Sequence, residues 1–69
     1  DTPLPTVLRA ADPAANGGRK EVAFVDTGVA GWQTLAEGVK AGVEVVVLDG
    51  SRDGLAQMVT WAQGKTGYD

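Results

Sequence analysis

The chain has 69 residues, nine acidic and six basic side chains, a net charge of −3, and neither histidine nor cysteine. That length allows one domain at most, and the missing residue types exclude disulfides, Cys/His zinc sites and the common catalytic triads and dyads. Arg9, Arg19, Lys20, Lys40, Arg52 and Lys65 are scattered, which argues against nucleic acid as a partner, and no apolar run approaches the ~20 residues of a membrane span.

Residues 1–19 hold all three prolines and the Asn16-Gly17-Gly18 cluster. This composition predicts a flexible leader or linker, with a short helical turn over Thr6–Ala11 that Thr6 would cap. Pro3 and Pro5 precede only a short Val7-Leu8 pair, so the stretch contains no signal-peptide core.

Lys20–Asp26 reads as the first strand, with Val22, Phe24 and Val25 supplying β propensity and Asp26-Thr27-Gly28 supplying the turn. A helix follows from Gly31 or Trp32 to Lys40. Trp32, Leu35, Ala36 and Val39 fall on one face of a 3.6-residue period. Ala41-Gly42 stops it, Gly42 being able to adopt the left-handed cap conformation.

Val43–Asp49 is the second strand. Val45, Val46, Val47 and Leu48 are consecutive, so both faces are apolar, as in a strand covered on both sides. Glu44 interrupts the run. A second helix spans Asp53 to Gln63, with Leu55, Met58, Val59 and Ala62 as its apolar face. Ser51 or Asp53 caps its start. Gly64 ends it, and Lys65–Asp69 turns toward a further strand.

The predicted fold class is α/β. The order β-α-β-α over residues 20–69 describes a parallel-sheet, Rossmann-like fragment that is incomplete by itself. Two parallel strands leave open edges, so a partner is expected at one of them. It would be the downstream remainder of the same domain or a second copy, which makes the isolated chain a homo-oligomer.

Three acids are ligand candidates. Asp26 and Asp49 end the two strands at the carboxyl edge, where open α/β sheets bind their ligands, and Asp53 lies just beyond. Turn formation and helix capping account for the same residues. Asp49-Gly50-Ser51-Arg52-Asp53-Gly54 imitates the first half of an EF-hand loop, but position 12 is Thr60 where a bidentate Glu is required. The first turn, Asp26-Thr27-Gly28-Val29-Ala30-Gly31, keeps only one Gly-x-x-Gly spacing of the dinucleotide fingerprint. A Ser51–Lys pair has no supporting spacing. No catalytic residue, metal site or cofactor is assigned. Trp61 lies off the second helix's main apolar face and is a candidate contact surface, or else packs on a missing part of the sheet or on the leader.

Glu21-Val22-Ala23-Phe24-Val25-Asp26, Trp32-Gln33-Thr34-Leu35, Gly42–Asp49 and above all Ser51-Arg52-Asp53-Gly54-Leu55-Ala56-Gln57-Met58 resemble the start of a domain of unknown function. It occurs near the N-terminus of very large bacterial surface proteins and adhesins, which often continue into cadherin-like, immunoglobulin-like or calcium-binding repeats. The resemblance spans about residues 20–69. It implies a secreted or cell-surface, non-enzymatic module acting in assembly or attachment. Members usually continue into a strand ending in a Ser-His-Gly-like motif, so no site residue carries over to this chain. That strand end is similar to caspase-like peptidase folds, which implies the alternative of an N-terminal half of a hydrolase domain with its catalytic residues downstream.

Overall fold

The structure is a computed structural model that describes residues 5–69. Its centre is β3, Glu44–Leu48, in which every residue but Val47 is buried. Strand β2, Val22–Asp26, lies parallel to β3, with Val22 opposite Glu44 and Asp26 opposite Leu48. On the other side, β1, Thr6–Arg9, pairs antiparallel with β3, with a register irregularity between Val7 and Arg9. The sheet order is β1-β3-β2, so the sheet is mixed rather than parallel.

This corrects the reading of the N-terminal stretch. Residues 6–9 form a strand, not a helical turn, and the segment expected as a leader supplies one edge of the sheet. Thr6 and Val7 are β-branched and fit a pleated surface. The neighbouring edge of β3 also offers backbone partners that an isolated four-residue segment lacks, so tertiary context outweighs the helix propensity of Leu8 and Arg9.

Arg9 fixes this attachment. Its guanidinium donates to the carbonyls of Val39 (3.2 Å), Lys40 (2.7 Å) and Val43 (2.8 Å). These carbonyls surround the turn into β3, where Gly42 sits at φ 87°. A Cβ at Gly42 would lie 2.7 Å from the Asp12 carbonyl oxygen, so Gly permits both the backbone conformation and the close approach. Asp12 N–H donates to Gly42 O at 2.8 Å, and a 3₁₀ turn at Pro13–Ala15 then leads to buried Asn16. The Asn16 amide donates to Glu21 Oε1 at 2.8 Å, tying the turn to the approach of β2.

Successive residues of a strand face opposite sides, and the helices divide accordingly. Helix α1, Trp32–Glu37, covers the side of Val25 and Val45 through Ala36, with Trp32 and Val39 alongside. Helix α2, Gly54–Ala62, covers the side of Val46 and Leu48 through Trp61, with Val22, Phe24, Met58 and Tyr68 around it. The helices therefore lie on opposite faces of the sheet.

Both helices are shorter than the periodicity predicts. α1 keeps Trp32 and Ala36 on the sheet as expected, with Val39 just beyond its end, and only Leu35 is left out, whereas α2 is rotated from its expected face. Leu35, Leu55 and Val59 are 55%, 71% and 55% exposed, while Gln57 and Trp61 form the buried side of α2. For α2 the cause is the Gln57 amide. Gln57 Oε1 accepts from Asp49 N–H at 2.7 Å, and Gln57 Nε2 donates to Asp49 O at 2.9 Å. The side chain completes the hydrogen bonds at the end of β3, and so sets which side of α2 turns inward.

Arg9→Met keeps much of the aliphatic stem and removes the three-carbonyl clamp. It should lower the unfolding free energy by about 1–3 kcal/mol, the range for hydrogen bonds from a charged donor. Urea unfolding followed by tryptophan fluorescence measures this. A change too small to resolve would mean that β1 is held by its ladder alone.

Candidate functional site

The carboxyl ends of β2 and β3 form two adjoining turns. Thr27 N–H donates to Leu48 O at 3.1 Å, and Gly50 N–H donates to Thr27 Oγ1 at 2.9 Å. Gly28 and Gly50 meet where the turns touch. A Cβ on Gly50 would collide with the Gly28 backbone nitrogen and would stand 2.6 Å from Gly28 Cα. Glycine is required at position 50 by this close approach, not by a left-handed conformation.

The three candidate acids sit near these turns, and each is engaged locally. Asp26 Oδ1 accepts from Gly28 N–H at 2.7 Å. Asp49 Oδ1 accepts from Ser51 N–H at 2.9 Å and from Ser51 Oγ–H at 2.6 Å, while Arg52 Nε lies 3.4 Å from Asp49 Oδ2. Asp53 is the N-cap of α2 and accepts from Ala56 N–H at 3.2 Å. Ser51 and its neighbours hold the Asp49 carboxyl below the usual carboxylate range; the hydroxyl bond is the largest cause, then the Ser51 N–H, with the Arg52 charge adding to both. Ser51 donates to an ionised acid that carries its own cation, which does not activate the hydroxyl as a nucleophile.

The structure thus brings the Asp26 and Asp49 turns together through Gly28 and Gly50, without joining the three carboxylates into one ligand set. Among the described residues, no group of three or more His, Cys, Asp or Glu side chains could hold a metal ion. The EF-hand imitation ends where α2 begins at Gly54, so the second half of that loop is helix. Two open grooves instead flank β1. One, of about 390 Å³, runs past Val7, Trp61 and Lys65; the other, of about 270 Å³, past Leu8, Ala36 and Val45. Neither is lined by the three acids.

Trp61, the candidate contact surface, is buried in this fold. It is 8% exposed and packs edge-on against Phe24 and Tyr68, with ring centroids 5.2 and 5.1 Å away. Tyr68 in turn donates its phenol proton to the carboxylate of Glu44, which is 6% exposed. This pair went unrecognised in the sequence. Its signal is a carboxylate interrupting the apolar run of β3, followed 24 residues later by the chain's one tyrosine. Burial first, and then the Glu44 carboxylate, push the Tyr68 phenol up to about 12.

Residues 22–69 match the domain of unknown function DUF4347, and the chain belongs to that family. No curated protein and no solved structure matches the chain. The matched region begins at Val22, the first residue of β2, and leaves β1 outside it.

Gly50→Ala should destabilise the fold by about 1–3 kcal/mol, as expected when added bulk must displace backbone. Thermal unfolding of that variant is the check, and wild-type stability would contradict the packed-turn geometry. The tyrosine gives a second test. Its folded pKa lies above its unfolded value, so its stabilising contribution is complete below about pH 10 and is lost as pH rises through about 12. Tyr68→Phe should flatten the loss of stability across that window. An unchanged alkaline profile would show that the Glu44 pair does not act on folding.

Proposed function

We propose that this chain is a non-enzymatic module of a large secreted or surface-attached bacterial protein, acting in assembly or attachment. One observation carries the reading: both helices keep large apolar side chains on their outer sides. Leu35 on α1 and Leu55 and Val59 on α2 are more than half exposed after the sheet is covered. Surfaces of this kind on both sides of one thin domain suit a part that is packed between other parts of an assembly. The local engagement of Asp26, Asp49 and Asp53 supports a structural role for the turns. The likeness of Ser51–Met58 to the domain found in bacterial adhesins supplies the setting.

We take the β2-α1-β3-α2 segment as a Rossmann-like portion of a larger sheet, in which β1 is an antiparallel edge. A second reading draws on the same arrangement. Helices on opposite faces of a parallel pair also suit the N-terminal half of a caspase-like hydrolase domain whose catalytic residues lie downstream.

Antibodies raised against this chain test the first reading on intact bacterial cells of the source strain. The expected result is surface labelling, protease-sensitive without lysis, from a band far larger than the chain itself. Labelling only after lysis would overturn it. Peptidase activity dependent on a downstream His and Cys would establish the second reading in its place.

A further inference from the structure

The backbone hydrogen bonds around β2 identify which of its groups face outward. Glu44 N–H donates to Glu21 O at 2.9 Å, and Thr27 N–H donates to Leu48 O, so odd-numbered residues from 21 to 27 face β3. Alternation along the strand turns Lys20, Val22, Phe24 and Asp26 toward the opposite edge. Among the described residues β2 is the edge strand of the sheet, so this is its unpaired side.

One residue already sits on that edge. Asp69 N–H donates to Lys20 O at 2.7 Å, and Lys20 N–H donates to Asp69 Oδ2 at 2.8 Å. Tyr68 anchors the approach through Trp61 and Glu44, and Lys20 Nζ stands 4.5 Å from the Tyr68 ring centroid. After α2 the chain therefore returns to the amino end of β2, on its open side, in position to run parallel to it.

Handedness leads to the same edge. A right-handed crossover through α1 on one face carries the chain from β2 to β3. α2 lies on the other face, so a right-handed crossover through it runs in the reverse direction across the sheet. The side of β3 in that direction is occupied by β2, and the first free position is the outer edge of β2.

We propose that the outer edge of β2 is the docking site for a parallel strand continuing directly from Asp69. The occupant is the segment that follows Asp69 in its own polypeptide. The register follows from the Asp69–Lys20 bond: Val22 N–H pairs next with Asp69 O, and Val22 O with the N–H of the second residue beyond Asp69. The sheet order becomes β1-β3-β2 followed by the new strand. The end of β2 then becomes the point where strand order reverses, the position at which open α/β sheets form their crevices, with Asp26, Thr27 and Gly28 at its rim. This inference concerns the fold of the domain and stands apart from the attachment reading.

Amide hydrogen exchange by NMR tests it, on this chain and on the same chain carried about ten codons further at its source locus. In the shorter chain Ala23 and Val25 should exchange slowly and Val22 and Phe24 quickly. In the longer chain Val22 and Phe24 should slow by at least about a hundredfold. In that longer chain Asp69→Pro, which deletes the N–H that starts the ladder, should reverse the protection of Val22. Unchanged exchange of Val22 and Phe24, or a stop codon directly after Asp69, overturns the proposal. So does slow exchange in the shorter chain together with a dimer mass, which assigns the edge to a second copy.

Discussion

The fold depends on covering β3. Its apolar residues face both sides of the sheet, and its backbone offers hydrogen bonds at both edges. Val45, Val46 and Leu48 are all 2% exposed or less, a degree of burial that no single helix or hairpin could provide. Four elements share the task. β2 and β1 take the edges, and α1 and α2 take the faces. Each remaining contact adjusts one of these four. Arg9 clamps β1 to the turn that starts β3, and Gln57 fastens α2 to the residue that ends it.

The apolar run of β3 and the two helices were legible in the sequence because burial on both faces leaves a continuous aliphatic run, and helices leave a period of 3.6. The N-terminal strand was not. Thr6–Arg9 has its proline and glycine neighbours in common with linkers, and its strand character rests on an antiparallel partner about 38 residues away, which no local pattern encodes. The inward side of α2 was misread for a related reason. Periodicity counts apolar residues, and it assigns a glutamine to solvent. Here the glutamine is buried because its amide completes the hydrogen bonds of a strand end.

The acids show the same separation between local and long-range information. Their positions at strand ends and at a helix start follow from the sequence, and their bonds to Gly28, Ser51 and Ala56 are those of turn and cap residues. What the sequence withheld is the contact between the two turns, where Gly50 lies against Gly28, and the pairing of Tyr68 with Glu44. Both join residues more than twenty positions apart. The polar groups at the carboxyl ends of the strands are therefore committed to shaping the turns and the start of α2.

The account stands on β3 being the middle of three strands, with β1 antiparallel on one side and β2 parallel on the other. Backbone nuclear Overhauser contacts in the isotopically labelled chain test this most directly. The predicted result is cross-strand contact of Val46 with both Val7 and Phe24, the pairs that stand opposite in the two ladders. Contact with Phe24 alone, with residues 6–9 showing no partner across the sheet, would contradict it.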